Sequence, residues 1–89
     1  MAKTDNDIHR ECMQRFIELA NTMKEEGINT TIVSAGLMTG SAVYATYVAA
    51  GNDGSLAPEG VEEVTAAYKE QLELVQVAKK EQLDAKLAR

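Results

Sequence analysis

The stretch GINTTIVSAGLMTGSAVYATYVAAGN, residues 27–52, contains no charged side chain, although 26% of the 89 residues in the chain are charged. A segment of this kind is a membrane span, the central helix of a bundle or a surface that a partner covers. Its length permits a span, because about 20 apolar residues cross a bilayer. The run GLMTG also has the G-x-x-x-G spacing of paired membrane helices.

Three features favour protein over lipid around this segment. Thr39 and Ser41 place hydroxyl groups at its centre. The flanking charges are mostly acidic, whereas a cluster of basic residues normally orients a span. The two remaining parts of the chain read as water-soluble amphipathic helices whose apolar stripes need a partner. We therefore predict a central helix packed between protein surfaces and expect no membrane partner. The large side chains predicted to form its buried stripe are Val33, Leu37, Tyr44 and Val48.

Apolar periodicity predicts helices over approximately residues 6–26, 30–50 and 58–86. Asp5, Asn6 or Asp7 can cap the first helix, and glycine at position 27 can end it. Asn29, or alternatively Thr30 or Thr31, can cap the second helix, and Pro58 suits the first turn of the third. The stripe of the first helix, spaced by three and four residues, consists of Ile8, Cys12, Phe16, Leu19 and Met23.

The predicted helix lengths indicate how the chain is arranged. At about 1.5 Å per residue, the first two helices measure roughly 30 Å and the third exceeds 40 Å. Short loops make successive helices antiparallel neighbours. The prediction is one all-α domain over residues 1–89, an antiparallel up-down-up three-helix bundle with a long third helix, completed by self-association.

The residues predicted to form an interface are of two kinds. Two glycines inside one helix each cost about 1 kcal/mol relative to alanine, which indicates close approach of a neighbouring backbone. The second half of the third helix carries apolar residues around its axis, more than a three-helix monomer can cover. We therefore expect a homo-oligomer, and specifically a dimer. The interface candidates are Gly36, Gly40, Leu72, Leu74, Val75 and Val77.

Composition and charge restrict the classes of function. The net charge of −5 argues against nucleic acid as a partner, since phosphate binding needs a basic surface. One cysteine cannot form an intramolecular disulfide and fits a reducing compartment. The N-terminal residues have no apolar core of a secretory signal. We therefore expect a cytoplasmic protein.

His9 and Cys12 lie three residues apart on one helical face, and two copies across a dimer axis can form a tetrahedral zinc site. The favoured interpretation is that Cys12 is a core thiol beside a half-exposed histidine. No nucleophile, base and orienting group are recognisable, so we expect no enzyme, no cofactor and no metal. The remaining candidates are acidic residues, interpreted as a solvated face, and tyrosines, which can line a ligand cleft but are favoured as core aromatics whose hydroxyls reach the bundle edge. The acidic residues are Glu59, Glu62, Glu63, Glu70 and Glu73, and the tyrosines are Tyr44, Tyr47 and Tyr68.

RFIELANTM, residues 15–23, followed by VSAGLMTGSAVYATYVAAG, residues 33–51, resembles a bacterial domain-of-unknown-function family of small cytoplasmic helical proteins. The family pattern is F-I-x-x-A-N, followed by a helix that begins V-S-x-x-L. Val43 departs from it, because the family often has arginine there. The resemblance implies an all-helical fold, but it does not indicate any particular activity or any catalytic residues. The matching residues are Phe16, Ile17, Ala20, Asn21, Val33, Ser34, Leu37, Tyr44 and Val48.

These observations predict a non-enzymatic, self-associating module that binds another protein. The alternative is a small-molecule or metal-binding protein that uses the His9/Cys12 face or the tyrosine-lined cleft.

Overall fold

The computed structural model describes residues 2–88 and contains three helices and, within those residues, no strand. The helices are α1 (Asp5–Glu25), α2 (Thr30–Ala50) and α3 (Pro58–Leu87). The predicted all-α fold with three helices is confirmed, and each bound lies within one residue of its predicted position. The lengths of 21, 21 and 30 residues correspond to about 31, 31 and 45 Å. The chain forms two compact units, Met1–Tyr44 and Ala45–Arg89.

The first turn of α1 is held by a capping box. The Asp7 backbone N–H donates to Thr4 Oγ1 and the Thr4 backbone N–H donates to Asp7 Oδ2, both at 3.1 Å. Thr4 is thus the N-cap, and the prediction of Asp5, Asn6 or Asp7 at that position is wrong. The reason is that a threonine cap with an acidic side chain three residues later satisfies two free N–H groups at once.

Acid is expected to weaken α1 through Asp7. Hydrogen bonds from the Thr4 backbone and side chain, aided by Arg10, hold the pKa of Asp7 below its ordinary value. A lowered pKa gives stability that is present above the unfolded pKa of about 3.9 and lost as pH falls through the folded pKa. The melting temperature followed by circular dichroism from pH 7 to pH 2 should therefore depend less on pH in Asp7→Asn than in wild type. Identical pH profiles would contradict this role.

The connection between α1 and α2 satisfies the backbone at both helix ends. Gly27 has a φ of +95°, its N–H donates to the Lys24 carbonyl, and the Ile28 N–H donates to the Met23 carbonyl. This is a Schellman motif, in which glycine takes the left-handed conformation. On the other side, Asn29 Oδ1 accepts from the Thr31 N–H at 2.8 Å. The predicted glycine end and asparagine cap are both confirmed.

The connection between α2 and α3 depends on a close backbone approach. The Gly51 N–H donates to the Tyr47 carbonyl at 2.8 Å, at the end of α2. Gly54 lies so near the Ala50 carbonyl that a Cβ added to Gly54 would clash with it. Farther along, Pro58 stands in the first turn of α3 as predicted, and Ala57 is the N-cap without a side-chain hydrogen bond. The start of α3 therefore lacks a stabilising interaction that α1 has.

Ala57→Ser is expected to stabilise the protein. A serine hydroxyl at the N-cap accepts from a free N–H of the first turn, which contributes about 0.5–2 kcal/mol. The backbone at Ala57 is already extended, with φ −68° and ψ 162°, as a cap requires. The free energy of unfolding in urea, at a fixed protein concentration, measures the gain. Ala57→Val is the control, because valine has no acceptor, and an equal gain in both variants would contradict the explanation.

None of residues 2–88 is buried in the single chain. The predicted buried stripe of α2 is therefore wrong for one chain, since Leu37 is 43% and Tyr44 66% exposed. The apolar stripes of α1 and α3 are exposed as well, with Phe16 at 58% and Tyr68 at 52%, so no surface within residues 2–88 covers α2. The half-buried residues lie mainly near the two connections: Ala20, Met23, Val33, Ala45, Thr46, Ala50, Leu56, Gly60 and Val64.

Candidate functional site

The surface of α2 is uncharged over its full length, Thr30–Ala50. Its apolar side chains stand in solvent on several sides of the helix, with Ile32 and Val43 each 65% exposed and Val48 72% exposed. By length and composition alone, with a mean hydropathy of 1.3 and no buried residue, α2 is able to cross a membrane. A surface of this kind is unusual for a soluble monomer, and we take it as the first candidate site.

Gly36 and Gly40 form a small-residue patch on this helix. A Cβ built on either glycine meets no atom within 4 Å. Within residues 2–88, no side chain and no backbone outside α2 therefore contacts either position, and the single chain does not show the close backbone approach predicted for them. Their assignment to an interface stays a prediction.

The second candidate surface is α3, whose apolar residues form two faces. The first, which we call the α3 stripe, consists of Val61, Val64, Tyr68, Leu72 and Val75. Leu72 and Val75 are 47% and 48% exposed. Leu74 and Val77, each 56% exposed, lie on the other side of the helix, as expected from about 100° of rotation per residue. The predicted interface residues of α3 are thus all accessible to a partner.

His9 and Cys12 are both exposed on α1. The prediction that Cys12 is a core thiol is wrong for the single chain, because Cys12 is exposed. Ile8 and Phe16, which lie in the same apolar stripe, are also 47% and 58% exposed. Among residues 2–88 no group of three or more His, Cys, Asp or Glu side chains is placed so that it could hold a metal ion. A metal at the His9/Cys12 face would need ligands from a second copy.

The tyrosines, favoured as core aromatics with a ligand cleft as the alternative, are each substantially exposed, and the core interpretation is therefore wrong for the single chain. Tyr44 is 66%, Tyr47 47% and Tyr68 52% exposed. A shallow, open depression does occur on α3, but it is lined by other residues, namely Lys79, Gln82, Leu83, Ala85 and Lys86. The tyrosine-lined cleft therefore stays a prediction.

The sequence does not identify four charged residues of α3 as a set. Glu62 and Glu73 are interpreted as part of a solvated acidic face and Lys80 as a favourable charge toward the negative end of the helix, and Lys69 is given no role. All four side chains are exposed. The signal that identifies them is their spacing along the helix, which matters only once α3 is known to be continuous from Pro58 to Leu87.

The fold and these surfaces define a small all-α protein with exposed apolar helix faces. The chain belongs to the family described as a protein of unknown function (DUF3144), whose model matches residues 10–75. The match includes most of α1, all of α2 and α3 as far as Val75, and it confirms the resemblance to a domain-of-unknown-function family. No curated protein and no solved structure matches the chain.

Proposed function

We propose that this protein is a non-enzymatic, self-associating helical module of the cytoplasm, and that its assembled form binds another protein. The observation that supports the proposal is the exposure of α2, an uncharged helix of 21 residues with no buried residue in the single chain. Leaving that much apolar surface in water is costly, at about 25 cal/mol for each Å². A second protein surface that covers α2 removes this cost.

The apolar side chains of α3 support the same proposal. Leu72, Leu74 and Val77 are 47%, 56% and 56% exposed, and they add to the apolar surface that a partner can cover.

A second copy of the chain is the partner that these surfaces fit best. Every copy supplies both an uncharged helix and an amphipathic one, so copies offer one another apolar faces to pack against. Symmetric homo-oligomers, dimers above all, are the commonest assemblies of soluble proteins. The net charge of −5 disfavours nucleic acid.

The test is whether stability depends on protein concentration. Sedimentation of the purified chain without detergent should show a dimer or larger species that dissociates on dilution. The melting temperature should rise with concentration, because association stabilises the folded state by mass action. A monomer that melts at one temperature over a hundredfold range of concentration would overturn the proposal.

Native mass spectrometry separates this proposal from a metal-binding function. Self-association predicts masses that are multiples of the chain. An additional mass of a metal ion that is lost in both His9→Ala and Cys12→Ser would instead favour a site shared between copies at that face.

Insertion of α2 into a membrane is a second candidate, favoured by its length and mean hydropathy. About 31 Å of helix matches the roughly 30 Å thickness of the hydrocarbon core. Against it, the residues that flank α2 carry acidic side chains and no basic cluster. Co-flotation with phosphatidylcholine vesicles tests this candidate. A chain that stays in solution without detergent and does not float excludes insertion, and one that floats supports it.

A further inference from the structure

Four charged residues of α3 form an ordered array along one side of the helix. Glu62, Lys69, Glu73 and Lys80 are separated by seven, four and seven residues. At about 100° per residue, the four side chains fall within roughly 40° of one another around the axis. All four are exposed, and the ion pair seen among residues 2–88, between Lys3 and Glu11, involves none of them. We call this set the charge array.

The spacing of the charge array is the same when read in either direction, while its signs are reversed. From the N-terminus the signs are −, +, −, +, and from the C-terminus they are +, −, +, −. Such an array is complementary to a reversed copy of itself. This complementarity follows from the order and spacing of the four residues alone.

The charge array also borders the α3 stripe. Val61 and Leu72 lie on the adjacent side of the helix and are 51% and 47% exposed. On the other flank of the stripe the side chains are uncharged, at Ala67, Gln71, Ala78 and Gln82. The stripe thus has one charged and one uncharged border, the arrangement in which bordering charges determine how two paired helices are oriented.

Resting on the proposed self-association, we propose that α3 pairs with α3 of a second copy in antiparallel orientation, with the two helices crossing near Gln71. In an antiparallel pair related by a two-fold axis, the same flank of each helix lies on the same side of the interface. Crossing at that residue places Glu62 of each copy opposite Lys80 of the other. It also places Lys69 of each copy opposite Glu73 of the other.

In a parallel pair of α3 helices, the residues of the charge array form no ion pairs between the two copies. Its two-fold axis runs along the helices and sets the charged flank of one copy against the uncharged flank of the other. The four charges of each copy then gain no ion partner. The apolar stripe contributes affinity in both arrangements, and the charges select the antiparallel one.

The experiment reverses part of the array in the full-length chain. Glu62→Lys/Glu73→Lys makes every charge of the array positive, and Lys69→Glu/Lys80→Glu makes every charge negative. Each double variant alone should associate at least about tenfold more weakly than wild type at low salt, since exposed ion pairs become repulsive contacts. A 1:1 mixture of the two variants should recover the wild-type association constant, which a merely misfolded chain does not do.

Two further variants serve as controls. The fourfold exchange, with both glutamates changed to lysine and both lysines to glutamate, restores a self-complementary array and should associate like wild type. Glu70→Lys/Glu81→Lys changes the net charge by the same amount as the first double variant but lies outside the array, and it should retain the wild-type association constant. High salt should reduce the differences among all the variants, because it screens exposed charges.

Crosslinking tests the orientation directly. In a Cys12→Ser background, Gln71→Cys lies at the crossing point and should form a disulfide-linked dimer under mild oxidation, whereas Gln82→Cys should not. Assembly of wild type with equal association in every charge variant overturns the antiparallel pairing and leaves self-association standing. A wild-type chain that is monomeric, or that floats with phosphatidylcholine vesicles, overturns the proposed function itself.

Discussion

Gly40→Leu is expected to prevent assembly while leaving α2 helical. If the backbone of another copy packs on Gly40, each added leucine costs about 1–3 kcal/mol through overpacking. Two copies together lose about 2–6 kcal/mol, which weakens association by a factor of at least about 30. Within one chain a Cβ at Gly40 meets nothing within 4 Å, so the single chain tolerates the first atom of the new side chain. Sedimentation and circular dichroism measure the two effects separately.

The matched controls for this variant are Gly40→Ala and Ala49→Leu. Alanine removes the intrinsic cost of glycine in a helix, about 1 kcal/mol, and should raise helix stability in the dissociated chain. Ala49 lies nine residues farther along α2, on the opposite side at about 100° per residue, and leucine there should not weaken a contact made through Gly40. Equal association of Gly40→Leu and wild type, with unchanged melting curves, would refute packing through this glycine.

Gly54→Ala is expected to destabilise the unit formed by Ala45–Arg89. The new Cβ would overlap the Ala50 carbonyl oxygen and also lie 2.8 Å from the Ala50 Cβ. Because a backbone atom cannot move aside as a side chain does, the connection between α2 and α3 must shift. A cost of about 1–3 kcal/mol is expected, or roughly 4–8 °C in melting temperature for each kcal/mol. Thermal unfolding at a fixed protein concentration measures it.

Gly60→Ala is the matched control, because the same substitution should have the opposite sign there. The nearest atom to an added Cβ is Leu56 Cδ2, at 3.3 Å, the far end of a flexible side chain that can turn away. Alanine in the first turns of α3 also has the higher helix propensity. We expect an unchanged or higher melting temperature. Equal losses in both variants would show that the Ala50 contact is not the cause.

The helix bounds could be predicted because their causes are local. Gly27 ends α1 and Asn29 starts α2 through hydrogen bonds to residues within five positions in the chain. The identity of the first cap was harder to predict, since several capable residues occur together and only Thr4 forms the reciprocal bonds with Asp7. The close approach of Gly54 to Ala50 was not predicted, because it depends on the path of a loop that has no sequence period.

The candidate surfaces were predicted in part. The interface residues Gly36, Gly40, Leu72, Leu74, Val75 and Val77 were found from glycine placement and from the width of the apolar face, and all of them are exposed. The core positions were not predicted correctly. Leu37, Tyr44 and Cys12 were expected to be buried, but they are exposed in the single chain. Apolar periodicity identifies which side chains avoid water, but it does not identify the surface that covers them.

The sequence by itself determined three helices, their ends and their apolar faces, since each depends on contacts between residues a few positions apart. Only the tertiary structure decided that α2 is not covered by its own chain and that the loop after α2 brings Gly54 against the Ala50 carbonyl. Burial depends on whether distant faces come together, and apolar periodicity does not encode this. In the single chain the stripes of α1 and α3 are themselves exposed, as Phe16 and Tyr68 show.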